Sequence, residues 1–308
     1  DVLTLCWTAM DSFICWKPMI DALGIDCRKL DIFITHEHPD HTGLVPKLQE
    51  LGARAFMNPD ETRKRVDLLH SYLADERARI ENLRIVGVTK EETPEVYDTF
   101  MEYTTKAYAS EKSPLELSFI PIHPGDILSY GGYHFEVKLL KGHTFGQCGL
   151  YEPEKKLMFV GDQLMTTIVP IVGTQETDLG MLKCYLDSLG DLKHNYKDCY
   201  FLPCHYGEIR NVEEEVNRII LGYLEKCEIM KHVLEEAGTA LTTRDIGVRT
   251  YGRSQGPPDY AHFASCTYIW AKTFSCMEYM MGEGFVERSE RDGIIYWKAP
   301  SIHFENNR

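Results

Sequence analysis

Nowhere do apolar side chains run long enough to cross a bilayer: no stretch of the 308 residues approaches ~18 in a row, so no transmembrane span and no membrane partner are expected. Basic residues are also scarce, with 33 Lys and Arg against 47 Asp and Glu and a formal charge of −14. Proteins that grip nucleic acid offset phosphate charge with a basic footprint. The chain as a whole lacks one, although a local basic patch is compatible with an acidic total. The ten cysteines include no CxxC pair, and their spacing gives neither a zinc knuckle nor a disulfide framework. Free thiols in a chain of this size point to a reducing, cytoplasmic setting. The opening DVLTLCWTAMDSF has no basic leader before an apolar run, so no secretory signal is read in it. It starts on Asp rather than Met, which leaves room for natural residues upstream.

What is present suits a folded core. Hydrophobic residues make up 44% and the mean hydropathy is −0.29, outside the disordered range, and the length suggests two domains. LDIFITHEHPDHTG (30–43) begins as a β-branched run, read as a buried strand, and ends in a polar turn. A helix is expected over 44–51, stopped by Gly52. Residues 59–112 are charged and amphipathic at helical spacing. They form either helices on the outside of the core or a lid over a site. From Pro121 strands and turns take over, and KKLMFVGD (155–162) and CYFLPCHYG (199–207) are short apolar runs ending in Asp162 and His205. Helices are expected over 180–192, after Asn211 to Gly238, near 242–250 and near 259–282. GFVERSERDGIIYWKAP then reads as a hairpin turning at Asp292-Gly293. Helix, helix, helix, hairpin is the order of a winged-helix module. This places a catalytic domain over 1–222 and a helical, winged-helix-like domain over 223–308.

The densest chemistry is His36-Glu37-His38-Pro39-Asp40-His41, four potential metal ligands within six residues just after a strand. Imidazole and carboxylate suit zinc, iron and manganese, and the lack of cysteine pairs argues against a closed structural zinc site. Alternating positions 36 and 38 can reach one ion. Asp40 and His41, past the turn, can face a second.

The segment THEHPDHTG resembles the signature of the metallo-β-lactamase superfamily, and further elements follow in order. KGHTFGQCGLY is similar to its GHTxGH segment, FVGDQL to its (S/T)GD element and LPCHYG to its PGHG element. The resemblance covers roughly residues 10 to 210. It implies an α/β fold, the αββα sandwich, with His143 as third ligand of the first ion, Asp162 bridging both ions and His205 as last ligand of the second. It further implies two divalent ions, zinc before iron or manganese, a hydroxide nucleophile between them, and Asp40 orienting that hydroxide. No general acid can be assigned; Tyr206 and Lys183 are candidates that also read as surface or packing residues.

The departures from the family pattern are specific. Gln147 stands where the second His of GHTxGH is expected, and Cys204 where a Gly precedes the last His. Asp11 is followed by Ser12-Phe13 instead of Thr-Gly. The strand hairpin expected upstream of Asp11 has only ten residues left to it, so that sheet edge is shortened or the sequence begins inside the natural domain.

One scaffold of this kind carries many reactions. The best match is the glyoxalase-II-like group with a helical insertion before GHTxG and a winged-helix tail, in which the segment after Asp162, GDQLMTTIVPIV, is expected to line the pocket. No Arg/Lys cluster after residue 210 resembles the glutathione-binding segment of glyoxalase II itself. The expected function is hydrolysis of a small ester, thioester or lactone. The alternatives are a phosphodiesterase or endoribonuclease of the winged-helix-tailed type and an iron-dependent persulfide oxygenase. The tail from 240 balances eight basic against eight acidic residues, and its helix near 259–282 carries only Lys272 among aromatic and Met residues. A helix that reads bases normally presents Arg, Lys, Asn or Gln. The expected partner is therefore a small-molecule substrate rather than nucleic acid. The tail is left a structural, substrate-covering or homodimer-forming role.

Overall fold

In the computed structural model, described residues are 2–5, 13–62, 76–108, 117–172, 180–252 and 260–300. They divide into two units, 1–64 with 112–170 and 184–220, and 65–111 with 171–183 and 221–308.

The first unit begins with β1 (Val2–Leu5), α1 (Phe13–Ala22), β2 (Leu30–Ile34), α2 (Pro39–Thr42), α3 (Val45–Glu50) and β3 (Arg54–Met57). Further along come α4 (Glu76–Ile85) and α5 (Pro94–Tyr108) of the second unit, then β4 (Ile120–Pro121), β5 (Ile127–Tyr130), β6 (Tyr133–Leu139), β7 (Cys148–Glu152) and β8 (Leu157–Gly161) of the first. The boundaries between units fall within α6 (Met181–Asn195) and α7 (Val212–Ala237), with β9 (Tyr200–Pro203) between these helices. The second unit ends with β10 (Leu241–Thr242), α8 (Thr243–Tyr251), α9 (Tyr260–Gly282), β11 (Glu287–Arg291) and β12 (Ile294–Lys298).

Period-two alternation builds the layers of the first unit. β2 is buried throughout. Its Leu30, Ile32 and Ile34 join Ala55 and Met57 of β3 in a cluster with Ile20 of α1 and Val45 and Leu48 of α3. Phe33 instead enters a second cluster with Phe135, Val137, Cys148 and Leu150 of β6 and β7, and Phe56 packs against it. Helices thus cover one face of the parallel sheet β1-β2-β3-β4, while the five-stranded sheet β5-β6-β7-β8-β9 covers the other. Both sheets contribute burial worth about 1.5–3 kcal/mol per large apolar side chain. A polar link centred on the buried Asp31 joins them as well. Arg54 on β3 grips Asp31 on β2 through Nε and Nη2 at 2.7 and 2.6 Å, and Tyr130 on β5 donates its hydroxyl to the same carboxylate at 2.9 Å. Residues 2–5 form a single strand parallel to β2, not a hairpin, among the described residues.

The second unit has its own core. Trp297 on β12 is fully buried, edge-on to Phe274 of α9, and donates Nε1–H to Thr243 Oγ1 at 3.0 Å. Thr242 caps α8 by accepting from the Asp245 N–H. The 287–298 hairpin turns at Asp292 and Gly293, both at positive φ, the pairing a two-residue turn demands. The segment after α4 docks here, with Arg244 N–H donating to Val86 O at 2.9 Å. On α9, Trp270, Phe274, Met277 and Met280 are buried while Tyr268 is exposed. No helix among the described residues is long and apolar enough to cross a membrane.

Candidate metal centre

The site forms where strands end. β2 delivers Thr35 and His36, and the chain then turns sharply through His38. Pro39, with φ fixed by its ring, opens α2, and the Thr42 hydroxyl donates back to His38 O at 3.1 Å. This short helix turns Asp40 and His41 away from the strand direction. Three loops of the second sheet supply the rest: His143 after β6, Asp162 directly after β8 and His205 just after β9. Cys148 N–H donates to Thr35 O at 2.9 Å, stitching the end of β2 to the start of β7. Two glycines make close approaches that a side chain would block. A Cβ on Gly142 (φ +143) would fall 2.5 Å from Tyr185 Cα, and Gly161 (φ +55) faces Gln147 Oε1 and Thr35 at about 3.1 Å.

All seven expected ligands come together within the first unit. Their donor atoms form three overlapping groups, each within 4.8 Å: His36, His38 and His143; His36, His41 and Asp162; Asp40, His41 and His205. His38 Nδ1 lies 3.1 Å from His143 Nε2, and His205 Nε2 lies 3.2 Å from His41 Nε2. Asp162 sits between the two sets, its Oδ2 3.6 Å from His143 Nε2 and 3.3 Å from His205 Nε2, its Oδ1 3.4 Å from His41 Nε2. Asp40 Oδ2 reaches His205 and His41 at 3.3 and 3.6 Å. The interior half is closed, whereas Asp40 and His205 keep partial solvent contact, 44% and 19% of their side chains.

The charge states follow from the surroundings. Burial and the neighbouring imidazoles push His36 well below 6.5, so its ring is neutral. Its Nδ1 pairs with Thr35 Oγ1 at 3.0 Å, while Nε2 is buried without a hydrogen-bond partner among the described residues. Burial acts to raise the Asp162 carboxyl, but hydrogen bonds from His205 and His41 prevail and hold it well below the usual carboxylate range. A neutral imidazole with an unpartnered ring nitrogen beside an ionised carboxylate is a donor set suited to a divalent ion.

Several bracing residues escape the sequence reading. Gln147, noted above only as a departure, is buried. It accepts from the Asp162 N–H at 3.2 Å and donates to Gln163 Oε1 at 2.9 Å. Gln163 donates onward to Ser188 Oγ, and its carbonyl accepts the Tyr185 hydroxyl at 2.7 Å. Glu61, in a single 3₁₀ turn at Pro59–Thr62, is fully buried and bonded to both His-bearing loops. No local pattern marks it. Of the other residues singled out, Tyr206 is exposed at positive φ with its ring 6.4 Å from that of His205. Cys204 is half-buried, and its N–H donates to Gly161 O at 3.1 Å. Lys183 is exposed in the first turn of α6 and belongs to the second unit. Asp11 lies outside the described residues.

Comparison with known proteins gives the site its context. The family model of the metallo-beta-lactamase superfamily matches residues 26–201, more than half of the chain. A metallo-beta-lactamase family protein from Thermus thermophilus is 20% identical, with 97% of this chain and 89% of that one covered and a TM-score of 0.68. A beta-lactamase domain protein from Burkholderia ambifaria is 18% identical, with 97% and 83% covered and a TM-score of 0.74. At such identities the likeness is one of fold. Among curated relatives, an uncharacterized protein from Aquifex aeolicus is 28% identical over 140 residues, 45% of this chain and 51% of that protein. The hydroxyacylglutathione hydrolase GloC of Haemophilus influenzae is 50% identical over 40 residues, 13% of this chain and 19% of that protein. The chain thus spans about half or less of the curated relatives it matches. Family match, fold and the ordered His/Asp set agree: the chain belongs to the metallo-β-lactamase superfamily.

Proposed function

We propose that this chain is a metal-dependent hydrolase of a small ester, thioester or lactone. His36, His38 and His143 would hold one divalent ion, Asp40, His41 and His205 a second, and Asp162 would contact both; zinc is the simplest choice. The observation that carries this reading is His36 Nε2, buried among converging donor atoms and without a hydrogen-bond partner among the described residues. Leaving such a nitrogen unsatisfied costs about 1–3 kcal/mol, which a bound ion would remove. When bound, such ions supply a water acidic enough to act at neutral pH and a Lewis acid for the oxygen that gains charge.

The protein's own groups divide the remaining work. The Asp40 carboxylate, on the solvent side, orients the attacking water by accepting its hydrogen bond. Gln147 and Gln163 hold the backbone at Asp162 so that its two oxygens keep their directions. The name of the Haemophilus relative supports hydrolysis. The net charge of −14 disfavours a polyanionic substrate.

The order α7, β10, α8, α9 and the β11–β12 hairpin supports reading 223–308 as a winged-helix-like module after a catalytic domain over 1–222. Burial of Trp270, Phe274, Met277 and Met280 on α9 supports a structural role over nucleic-acid binding. Seven free cysteines among the described residues support a cytoplasmic setting.

The test is a panel of thioester, lactone, aryl ester and bis-aryl phosphodiester on metal-analysed protein, with His38→Ala and Asp162→Ala beside it. Turnover of a carbonyl substrate that falls at least about a hundredfold in both variants supports the proposal. Equal activity in the variants overturns it. Turnover of the phosphodiester alone moves the assignment to a nuclease, and one iron per chain with oxygen consumption moves it to an oxygenase.

A further inference from the structure

Glu61 carries none of the proposed ligand atoms, yet its fully buried carboxylate lies between the two loops that do. Oε2 accepts the backbone N–H of Glu37 at 2.8 Å. Oε1 accepts the Thr144 hydroxyl at 2.9 Å and the Gly146 N–H at 2.5 Å. The first donor sits between His36 and His38; the other two lie one and three residues after His143. Asn58, in the approach to the same turn, donates Nδ2–H to Gly146 O at 2.8 Å, so both backbone polar groups of Gly146 are gripped. A Cβ on Gly146 would fall 2.9 Å from Glu61 N and Oε1, so the loop rests directly on the turn. Burying a carboxylate is costly unless charge-assisted hydrogen bonds replace its water. Here three donors converge on it, and each belongs to a loop bearing a proposed ligand.

Resting on the metal-centre reading above, we infer that Glu61 is a positioning residue. Its carboxylate clamps the His36–His38 loop to the His143 loop and sets the spacing of the three imidazoles that would take the first ion. The chemistry is specific to a carboxylate. In Glu61→Gln one acceptor oxygen becomes an NH2 group. If the remaining oxygen faces Thr144 and Gly146, the NH2 meets the Glu37 N–H; in the other orientation it meets both of the other donors. Either way donor faces donor. Asp is a methylene too short to reach both loops.

The test compares full-length wild type, Glu61→Gln and the milder Thr144→Val, which removes one donor and leaves the carboxylate. Each is stripped of metal, checked for cooperative unfolding, and titrated with zinc against a chromophoric chelator, with the imidazole NMR signals of His38 and His205 reporting which site fills. Amide hydrogen exchange at Glu37 and Gly146 is read on the stripped proteins. For Glu61→Gln we expect zinc affinity at His36, His38 and His143 to fall about 10- to 100-fold, while Asp40, His41 and His205 keep theirs. Both amides should exchange faster. Thr144→Val should show the same site preference with a smaller loss, and it carries the test if Glu61→Gln does not fold. Unchanged affinity, or equal weakening at both sites, overturns the inference. If wild type takes up no zinc, the metal reading fails separately, and unchanged amide exchange in the variants then overturns the clamp.

Discussion

His205 Nε2 lies 3.3 Å from Asp162 Oδ2, so the protein itself supplies a counter-charge at the place where an ion would sit. Burial acts to lower the His205 pKa, but hydrogen bonds to Asp162 and Asp40 outweigh it and push the ring up from 6.5 to about 10 in the metal-free chain. At pH 7 the imidazole is then protonated, and an ion can take its nitrogen only by displacing that proton. A folded-state pKa raised above the unfolded value stabilises the fold below 6.5, and this contribution fades as pH rises through about 10. The melting temperature of the metal-free protein should therefore fall across that window. Zinc uptake at pH 7 should release a proton, visible as a binding heat that changes with the ionisation enthalpy of the buffer. His205→Ala should lose that dependence. Identical heats for wild type in phosphate and Tris would contradict the assignment.

Gly142 and Gly190 make a matched pair. A side chain at Gly142 would meet the backbone of α6 at Tyr185, and its φ of +143 is strained for any L-residue. Gly142→Ala should destabilise the protein by about 1–3 kcal/mol and weaken zinc binding, because His143 is the next residue. Gly190, exposed within α6, has nothing among the described residues within 4 Å of an added Cβ. Gly190→Ala should stabilise by about 0.5–1 kcal/mol and leave zinc affinity unchanged. Urea unfolding with zinc titration reads both.

These effects show what could be read from the chain and what could not. The convergence of the seven proposed ligands was legible because each lies in a short motif at a strand end, where apolar alternation stops and a turn begins. The 287–298 hairpin was legible because Asp292-Gly293 supplies a turn that works at positive φ. Glu61 was not, since it is an ordinary acidic residue in PDET whose donors lie 24, 83 and 85 residues away. The grouping of 65–111 with the C-terminal residues was equally hidden. Arg84 donates to Asp292 O across 208 residues and Arg244 N–H to Val86 O, pairings no local pattern encodes. Periodicity reports which face a residue turns inward, not what it will meet there.

The Asp31 carboxylate is one point where the two sheets share polar groups. Asp31 is buried, whereas Arg54 is 62% exposed at its side chain and stays hydrated if its partner is removed. Breaking the pair should therefore cost less than breaking a fully buried one. Asp31→Ala is expected to destabilise by about 1–3 kcal/mol and Tyr130→Phe by about 0.5–1.5 kcal/mol. Burial and the hydrogen bond to Asp31 also raise the Tyr130 hydroxyl to about 12. By the same linkage, its contribution holds below the unfolded value near 10 and fades as pH climbs toward 12. Wild type should lose stability across that alkaline window and Tyr130→Phe should lose less. Parallel alkaline curves for the two would remove Tyr130 from the account.

Trp297 tests whether the second unit is held together independently of the proposed metal ligands. Its ring is fully buried, edge-on to Phe274, and its N–H is taken by Thr243 at the start of α8. Trp297→Ala removes a fully buried indole from that core and should destabilise by about 3–5 kcal/mol. Trp297→Phe keeps most of the volume but strands the Thr243 hydroxyl without its donor, for a cost of about 1–3 kcal/mol. All seven proposed ligands belong to the first unit. In Trp297→Phe, zinc stoichiometry should therefore stay at the wild-type value while chemical unfolding shifts to lower denaturant. A loss of zinc in proportion to the loss of stability would mean that the ligand loops depend on the second core.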